Sequence, residues 1–499
     1  MKNLFKLFFI ILFVQCNTAQ EEVQLTELEK EIPLLMQKLH TAGISVAVFN
    51  KDEMLYSKGF GYRDYENKKP VDGNTIFGIG SCTKSFTAAL LGILEAEQKL
   101  SLNDKPSDYL ETLKFSHQSQ NEHIKLSDLL KHTTGLSATS SESTAIMFTT
   151  PNLDDYIQRI AHIPVVDSAG TSFHYNNLMY HLVSRISENV SKRSWEEQLN
   201  SEIFGPLEMK NSFVTGTLAM KSENFSFGYA VDSITPARVS IEIIPARKEA
   251  GAIHGSTNDM AKWVQLWMNN GLHNGKQLLS KSYVQQALSD VQYMSNTASD
   301  SIPLSQQKYY GYGWITSNLN GHRKVEHSGG VSGFTSNMVF YPDDNLGIVA
   351  LSNQTTSPLS SHVTNLISYY LLEGLDKPTL HQQIPSQIQT IAPINKPTII
   401  NSELQPTQPL AAYTGTFHHP GFGNISIVLE GKTLYADFPM TRFRLEHQVN
   451  DEFFDFFTEE TPLVMWNFMR FSFKEYESGT FNEIHLNLNN PSIVFKKIN

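Results

Sequence analysis

Strand-like alternation at both ends of a long helical stretch constrains this chain more than any other feature. In residues 44–62 (ISVAVFNKDEMLYSKGFGY), Ile44, Val46 and Val48 alternate with small residues, the pattern of two strands about a turn at 50–53. Clear strand patterning returns only over 309–353, in YGYGWIT, KVEHSGG, SNMVFYP and LGIVALSN. The middle, 120–290, is mostly helical pattern broken by Gly and Pro. Strands at both ends with helices between them predict one sheet built from both ends of a domain over 30–372. The expected class is α+β (α/β): an antiparallel sheet flanked by helices, with a helical subdomain.

Residues 373–409 have the composition of a stiff, extended linker, carrying Pro378, Pro385, Pro393, Pro397, Pro406 and Pro409 with Gln and Thr between them. Residues 410–499 then read as a succession of short strands with a turn at Gly431, predicting a small all-β, barrel-like domain. Residues 1–20 (MKNLFKLFFIILFVQCNTAQ) place Lys2 and Lys6 before an apolar run that is too short to span a bilayer. That order predicts a secretory signal and an exported protein, periplasmic or secreted. Cleavage near Ala19 releases a soluble chain, and cleavage before Cys16 leaves a lipid-anchored one. Phe13, Val14 and Gln15 fit the lipid-anchoring signal poorly. With two cysteines in the sequence, removing the first leaves Cys82 alone and no internal disulfide.

A net charge of −11 offers no general basic surface for phosphate backbones, so no nucleic-acid partner is expected. The 17 histidines show no His-x-x-x-His or Cys/His ligand spacing, so no metal is expected, and without a Gly-rich phosphate loop no cofactor either.

The candidate chemistry begins at Ser81-Cys82-Thr83-Lys84, which follows TIFGIG and opens an apolar helix expected over 81–100. Positions i and i+3 share a helix face, so the Lys84 ammonium can reach the Ser81 hydroxyl. A serine at a helix start also sits in a field that favours developing negative charge. A hydroxyl is a poor nucleophile until a neighbouring base takes its proton, and a buried lysine can be that base. Ser-x-x-Lys by itself is weak, and Ser305…Lys308 repeats it in a polar loop. Tyr175-Asn176-Asn177 precedes an apolar helix, and His327-Ser328-Gly329-Gly330 follows the strand KVE. Tyr65…Asn67 and His273…Gly275 match the same spacings without that context. Cys82 is expected to pack away from Ser81, and His132 to hold a turn. Thr83 stands where the second glycine of a Gly-x-Ser-x-Gly elbow would be, which argues against an α/β-hydrolase.

In these stretches the chain resembles the serine β-lactamase and penicillin-binding-protein superfamily, in its class C β-lactamase, D-peptidase and esterase branch. FGIGSCTKSFTAALLGIL, IKLSDLLKHTTGL, GTSFHYNNLMYHLVSRI, IFGPLEMKNS, AGAIHGSTNDMAKW and the region from His327 to Asn353 carry the likeness, in family order. The C-terminal strands resemble the lipocalin-like modules appended to some members. The resemblance implies a β-lactamase-like fold and an acyl-enzyme on Ser81. It gives Lys84 and Tyr175 the general-base and general-acid work, without saying which takes the serine proton. It implies that Asn177 bonds a substrate amide or Lys84, and that His327 faces a substrate carboxylate or the Tyr175 hydroxyl. The oxyanion hole would be formed by the N–H groups of Ser81 and Gly330, beside Gly329.

Class C β-lactamases usually carry Lys where this chain has His327, and a neutral imidazole is a weaker anchor for a β-lactam carboxylate. An esterase or a D-residue peptidase acting on a small molecule or peptide is therefore expected ahead of a true β-lactamase. The alternative is a non-hydrolytic receptor or sensor of wall peptides, since fold does not decide function. The C-terminal domain has two candidate roles, a cap over the site mouth or a surface for self-association.

Overall fold

A computed structural model describes residues 28–137, 145–146, 148–150, 153–231, 234–240, 248–289, 292–294, 307–372, 405–456, 469–487 and 492–498. The leader with Cys16, the linker up to residue 404 and Ser305 lie outside the described residues.

Nine strands form one antiparallel sheet. In chain order they are β1 (Gly43–Phe49), β2 (Met54–Asp64), β3 (Lys69–Pro70), β4 (Gln292–Tyr293), β5 (Lys308–Tyr310), β6 (Ile315–Leu319), β7 (His322–Val331), β8 (Phe334–Tyr341) and β9 (Leu346–Ser352). Their spatial order is β4-β5-β6-β7-β8-β9-β1-β2-β3. The two ends of the domain meet where β1 pairs with β9, Ile44 opposite Ser352 and Phe49 opposite Gly347. All seven residues of β1 are buried, because helices cover both faces of the sheet.

The helices that matter for the site are α1 (Thr83–Ala96), α2 (Leu126–Lys131), α3 (Asn177–Ser191), α4 (Lys248–Gly251), α5 (Thr257–Met268) and α6 (Leu359–Leu371). Helical residues 28–39 and α6 cover one face, burying Leu28, Ile32, Leu35, Val363 and Ile367 against Ile44, Val46, Val48 and Ile348. The odd-numbered β1 positions face α5, where the Ser45 and Thr257 hydroxyls meet at 2.8 Å. Small side chains on that side let the helix approach closely. Eleven of the fourteen residues of α1 are buried. This helix is apolar nearly all round because it runs between the sheet and the helical subdomain.

Two expectations shift. The first helix is α1 preceded by a 3-10 turn, Gly80–Cys82, so it starts at Thr83 and stops at Ala96. The strand expected to close at His327 runs on to Val331, pairing Gly329 with Ser336 and Gly330 with Thr335. The glycine pair stays extended because the Gly80–Cys82 turn lies against it.

Residues 415–498 contain eight strands closed into a barrel: β10 (Gly415–His419), β11 (Gly423–Glu430), β12 (Thr433–Asp437), β13 (Arg442–Val449), β14 (Glu452–Phe456), β15 (Arg470–Glu477), β16 (Thr480–Asn487) and β17 (Ile493–Ile498). Pairing of β10 with β17, Thr416 opposite Ile498, closes it. Aromatic rings fill the interior. The Tyr413 ring lies 5.0 Å from Phe453, 5.0 Å from Phe473 and 4.6 Å from Phe481.

The barrel packs on the helical subdomain of the first domain. Phe148 meets Phe443 at 5.5 Å and Phe438 at 6.1 Å, both edge to face. The Met440 N–H donates to the Phe148 carbonyl at 3.2 Å. Arg159 Nη1 donates to the Thr149 carbonyl at 2.6 Å and reaches across to the Phe422 carbonyl at 3.3 Å.

Candidate active site

Ser81 lies on the 3-10 turn that feeds α1, and Lys84 is one turn further along. The Lys84 side chain is 0% exposed. Its Nζ donates to Ser81 Oγ at 2.9 Å and to the Ala250 carbonyl at 3.0 Å. A buried amino group needs such acceptors. The Ala250 carbonyl comes from α4, which is held in turn by α1 and α3. Thr87 Oγ1 donates to the Glu249 carbonyl at 2.7 Å, and His181 Nδ1 meets Glu249 Oε2 at 2.6 Å.

Tyr175 arrives from the other side, just before α3. Its ring centroid lies 4.9 Å from Lys84 Nζ. Burial holds the phenol well above its ordinary range, so it stays protonated at neutral pH. Asn176 caps α3 through its side-chain oxygen, which accepts from the Leu178 N–H at 3.0 Å. That leaves Asn177, the next residue, partly exposed beside Tyr175. No hydrogen bond joins the Asn177 side chain to Lys84 among the described residues.

The third wall is β7. A Cβ on Gly329 would lie 2.0 Å from the Ile79 carbonyl oxygen and 2.8 Å from the Ser81 nitrogen. A Cβ on Gly80, whose φ is +50°, would lie 2.5 Å from the Gly330 nitrogen. The Gly80–Ser81 and Gly329–Gly330 backbones therefore touch, which sets the Ser81 and Gly330 N–H groups beside one another. Two side chains fasten the contact. The Cys82 thiol donates to the His327 carbonyl at 3.1 Å, and the Ser336 hydroxyl donates to the Ile79 carbonyl at 2.7 Å. Burial pushes the Cys82 thiol up to about 12, so it remains a neutral donor.

His327 meets a tyrosine other than Tyr175. Its ring is 3% exposed. Nδ1 lies 2.6 Å from the Ser328 carbonyl, and Nε2 lies 2.9 Å from the hydroxyl of Tyr310, not of Tyr175. Burial, with the nearby Lys84 charge, lowers its pKa to about 4. Tyr310 was not singled out by the sequence, which shows it only as one tyrosine of a strand. His132 acts as the expected brace. It ends α2 in the left-handed conformation, φ 62°, and its carbonyl accepts the His174 N–H at 2.8 Å. Its Nδ1 accepts the Asn176 N–H at 3.1 Å, so it grips the Tyr175 segment from both sides.

The structure thus brings together Ser81, Lys84, Tyr175, Gly329 and Gly330, sets Asn177 beside them and joins the His327 ring to Tyr310. The lookalikes stay apart. Lys308 pairs with Glu326 at 3.4 Å, and His273 lies on a two-residue hairpin strand. Tyr65 packs against Tyr229, where Lys68 covers its ring. Among the described residues no group of three or more His, Cys, Asp or Glu side chains is arranged to hold a metal ion.

The fold and this arrangement define a serine-hydrolase-like protein of the β-lactamase and penicillin-binding type. The family model described as Beta-lactamase matches residues 28–367, so the chain belongs to that family. A second model, for a domain of unknown function (DUF3471), matches residues 401–499. The chain is 28% identical over 353 residues to Protein flp of Staphylococcus aureus (strain MW2), a match covering 71% of this chain and 66% of that protein. It is 25% identical over 440 residues to the unguisins hydrolase ungD of Aspergillus violaceofuscus, covering 81% of this chain and 76% of the relative. Among solved structures, the octameric penicillin-binding protein homologue from Pyrococcus abyssi superposes with a TM-score of 0.61 at 22% identity. That likeness covers 95% of this chain and all of the other, and it concerns the fold.

Proposed function

We propose that this chain is an exported serine hydrolase that cleaves a small ester or amide through an acyl-enzyme on Ser81. The observation carrying the reading is the 2.9 Å bond from Lys84 Nζ to Ser81 Oγ, set against the touching backbones of Gly80–Ser81 and Gly329–Gly330. The named hydrolase among the relatives agrees with it.

In the proposed sequence, Lys84 enters the step as the neutral amine, Ser81 Oγ attacks the substrate carbonyl carbon, and the serine proton passes to Lys84 Nζ. Tyr175 does not supply the resting base, because its phenol is held protonated. The carbonyl oxygen takes the negative charge and points at the Ser81 and Gly330 N–H groups, donors worth about 3 kcal/mol each in such sites. As the carbon–heteroatom bond breaks, the leaving group takes from Lys84 the proton that left Ser81, with Tyr175 holding it in place, and Lys84 is neutral again. Water then hydrolyses the acyl-enzyme along the reverse route. In this reading Asn177, partly exposed two residues after Tyr175, bonds a substrate amide. Esters and D-residue peptides fit the site better than β-lactams, because His327 is neutral. The leader exports the enzyme to the periplasm or medium, released or held at Cys16.

The test is intact mass after exposure to a fluorophosphonate, a p-nitrophenyl ester, a penicillin and a peptide ending in D-Ala. An adduct in the wild type and none in Ser81→Ala is expected, and the reagent that turns over names the substrate class. No Ser81-dependent adduct with any reagent would leave the receptor reading. Lys84→Met should lower the acylation rate by about 10²- to 10⁴-fold, the usual range for proton-transfer groups.

A further inference from the structure

To take the serine proton, Lys84 must turn its lone pair to Ser81 Oγ, 2.9 Å away, with its N–H groups directed elsewhere. The Ala250 carbonyl, 3.0 Å from Nζ, is the acceptor that directs one of them. A base needs such an orienting partner, and here it is a backbone carbonyl rather than a side chain. That carbonyl belongs to α4, a single turn of four residues. One turn of helix does not hold itself in water, so its place is set by what grips it.

The grip includes a buried carboxylate–imidazole pair that the proton transfer does not use. Glu249 on α4 and His181 on α3 are each 1% exposed, and His181 Nδ1 lies 2.6 Å from Glu249 Oε2. A buried carboxylate needs a donor, so the Nδ1 proton points at Glu249. His181 Nε2 has no hydrogen-bond partner among the described residues. A neutral ring leaves a lone pair there, whereas an imidazolium would leave an unpaired N–H, so the neutral ring fits the site. The Tyr156 ring packs edge to face on the imidazole at 4.2 Å, and its hydroxyl donates to the Leu178 carbonyl of α3. His181 is thereby fixed from behind. On the far side of Glu249, Lys248 Nζ lies 3.7 Å from Oε1 and 2.6 Å from Glu196 Oε1. The end of α4 reaches the nucleophile turn: a Cβ on Gly251 would stand 3.8 Å from the Gly80 carbonyl carbon.

We propose that His181 and Glu249 are positioning residues for Lys84: their hydrogen bond ties α4 to α3, so that the Ala250 carbonyl holds the amine with its lone pair on Ser81. The same tie joins the Lys84 acceptor to the helix that Tyr175 precedes, so the two groups keep one spacing. Neither residue touches substrate. The proposal rests on the reading of Ser81 as the acylated nucleophile.

The test separates rate from stability. The probe is a fluorophosphonate, whose kinact reports the step at Ser81 and whose KI reports binding. His181→Leu alone strands a buried carboxylate and should lower the urea midpoint. The double variant His181→Leu/Glu249→Leu removes the pair as a unit and should bring the midpoint back towards the wild type, as apolar replacements of buried pairs do. Its kinact should still stay about 10²-fold down with KI unchanged, the cost of moving a reacting group by about an ångström. Glu249→Asp is milder, keeping the charge and shortening the tether by one methylene, and it too should lose kinact and not KI. His181→Asn keeps a donor near the Nδ1 position and should retain nearly the wild-type kinact. Wild-type kinact in the folded double variant or in Glu249→Asp would overturn the proposal and leave the pair a purely structural one. So would a His181→Asn enzyme as slow as Glu249→Asp. If the wild type itself takes no fluorophosphonate at Ser81, the nucleophile reading fails and this proposal falls with it.

Discussion

A methyl group on Gly329 would press into the Ile79 carbonyl at 2.0 Å, whereas one on Gly330 would meet nothing within 4 Å. Gly329→Ala must therefore push β7 off the nucleophile turn and spoil the geometry of the paired N–H groups. Its kcat should fall by about 10²- to 10³-fold, the cost of losing one oxyanion donor. Gly330→Ala should unfold within about 0.5 kcal/mol of the wild type in urea. Titration belongs to this scale too. His254, like His327, is buried, and burial lowers its pKa from 6.5 to about 4. Above pH 6.5 each is neutral both folded and unfolded, and its contribution is complete. Between about 6.5 and 4 the unfolded chain takes protons that the native state refuses, so stability falls as pH falls. The urea midpoint should drop over that window, and less steeply in His254→Gln. The Ser81–Lys84 pair was legible from sequence because its geometry is local to one turn. Tyr310 was not, since its partner lies on another strand and its role appears only once β5 and β7 share a sheet.

Among the elements, the segment from His174 to α3 shows how a loop becomes part of a site. Asn176, not Asn177, caps the helix, and a cap of this kind contributes about 1 kcal/mol. Asn176→Ala should lower unfolding free energy by about that much and leave the nucleophile reactive. His132→Ala removes the ring that accepts the Asn176 N–H and packs 4.4 Å from the Tyr175 ring. It should lower kcat more than it raises KM, because the brace positions Tyr175 and touches no substrate. From sequence the two asparagines are indistinguishable, since only backbone geometry decides which residue turns its side chain back. The strand through His327 was cut short for a related reason: a glycine pair usually marks a turn, and here a close backbone contact keeps it extended.

For the whole molecule, both architectures were readable: the sheet from its split strand pattern, the barrel from alternation and the turn at Gly431. Their junction was not, because Phe148, Phe438 and Phe443 look like ordinary core residues until the two domains meet. Truncating such a ring typically costs about 3 kcal/mol. Phe148→Ala and Phe438→Ala should each destabilise, and the double variant should fall short of their sum by about 1 kcal/mol, the worth of an aromatic pair. Chemical denaturation of the four-member cycle checks it.

The pairing of β1 with β9 also sets a timetable. Ser81 emerges early in synthesis, but the strand bearing Gly329 and Gly330 and the one that locks β1 in place come hundreds of residues later. Contacts this distant in the chain form late, after the slowest loop closure. A ribosome-bound chain therefore carries Ser81 without the wall that faces it. Chain order alone keeps the two halves of the candidate site apart until the domain is complete.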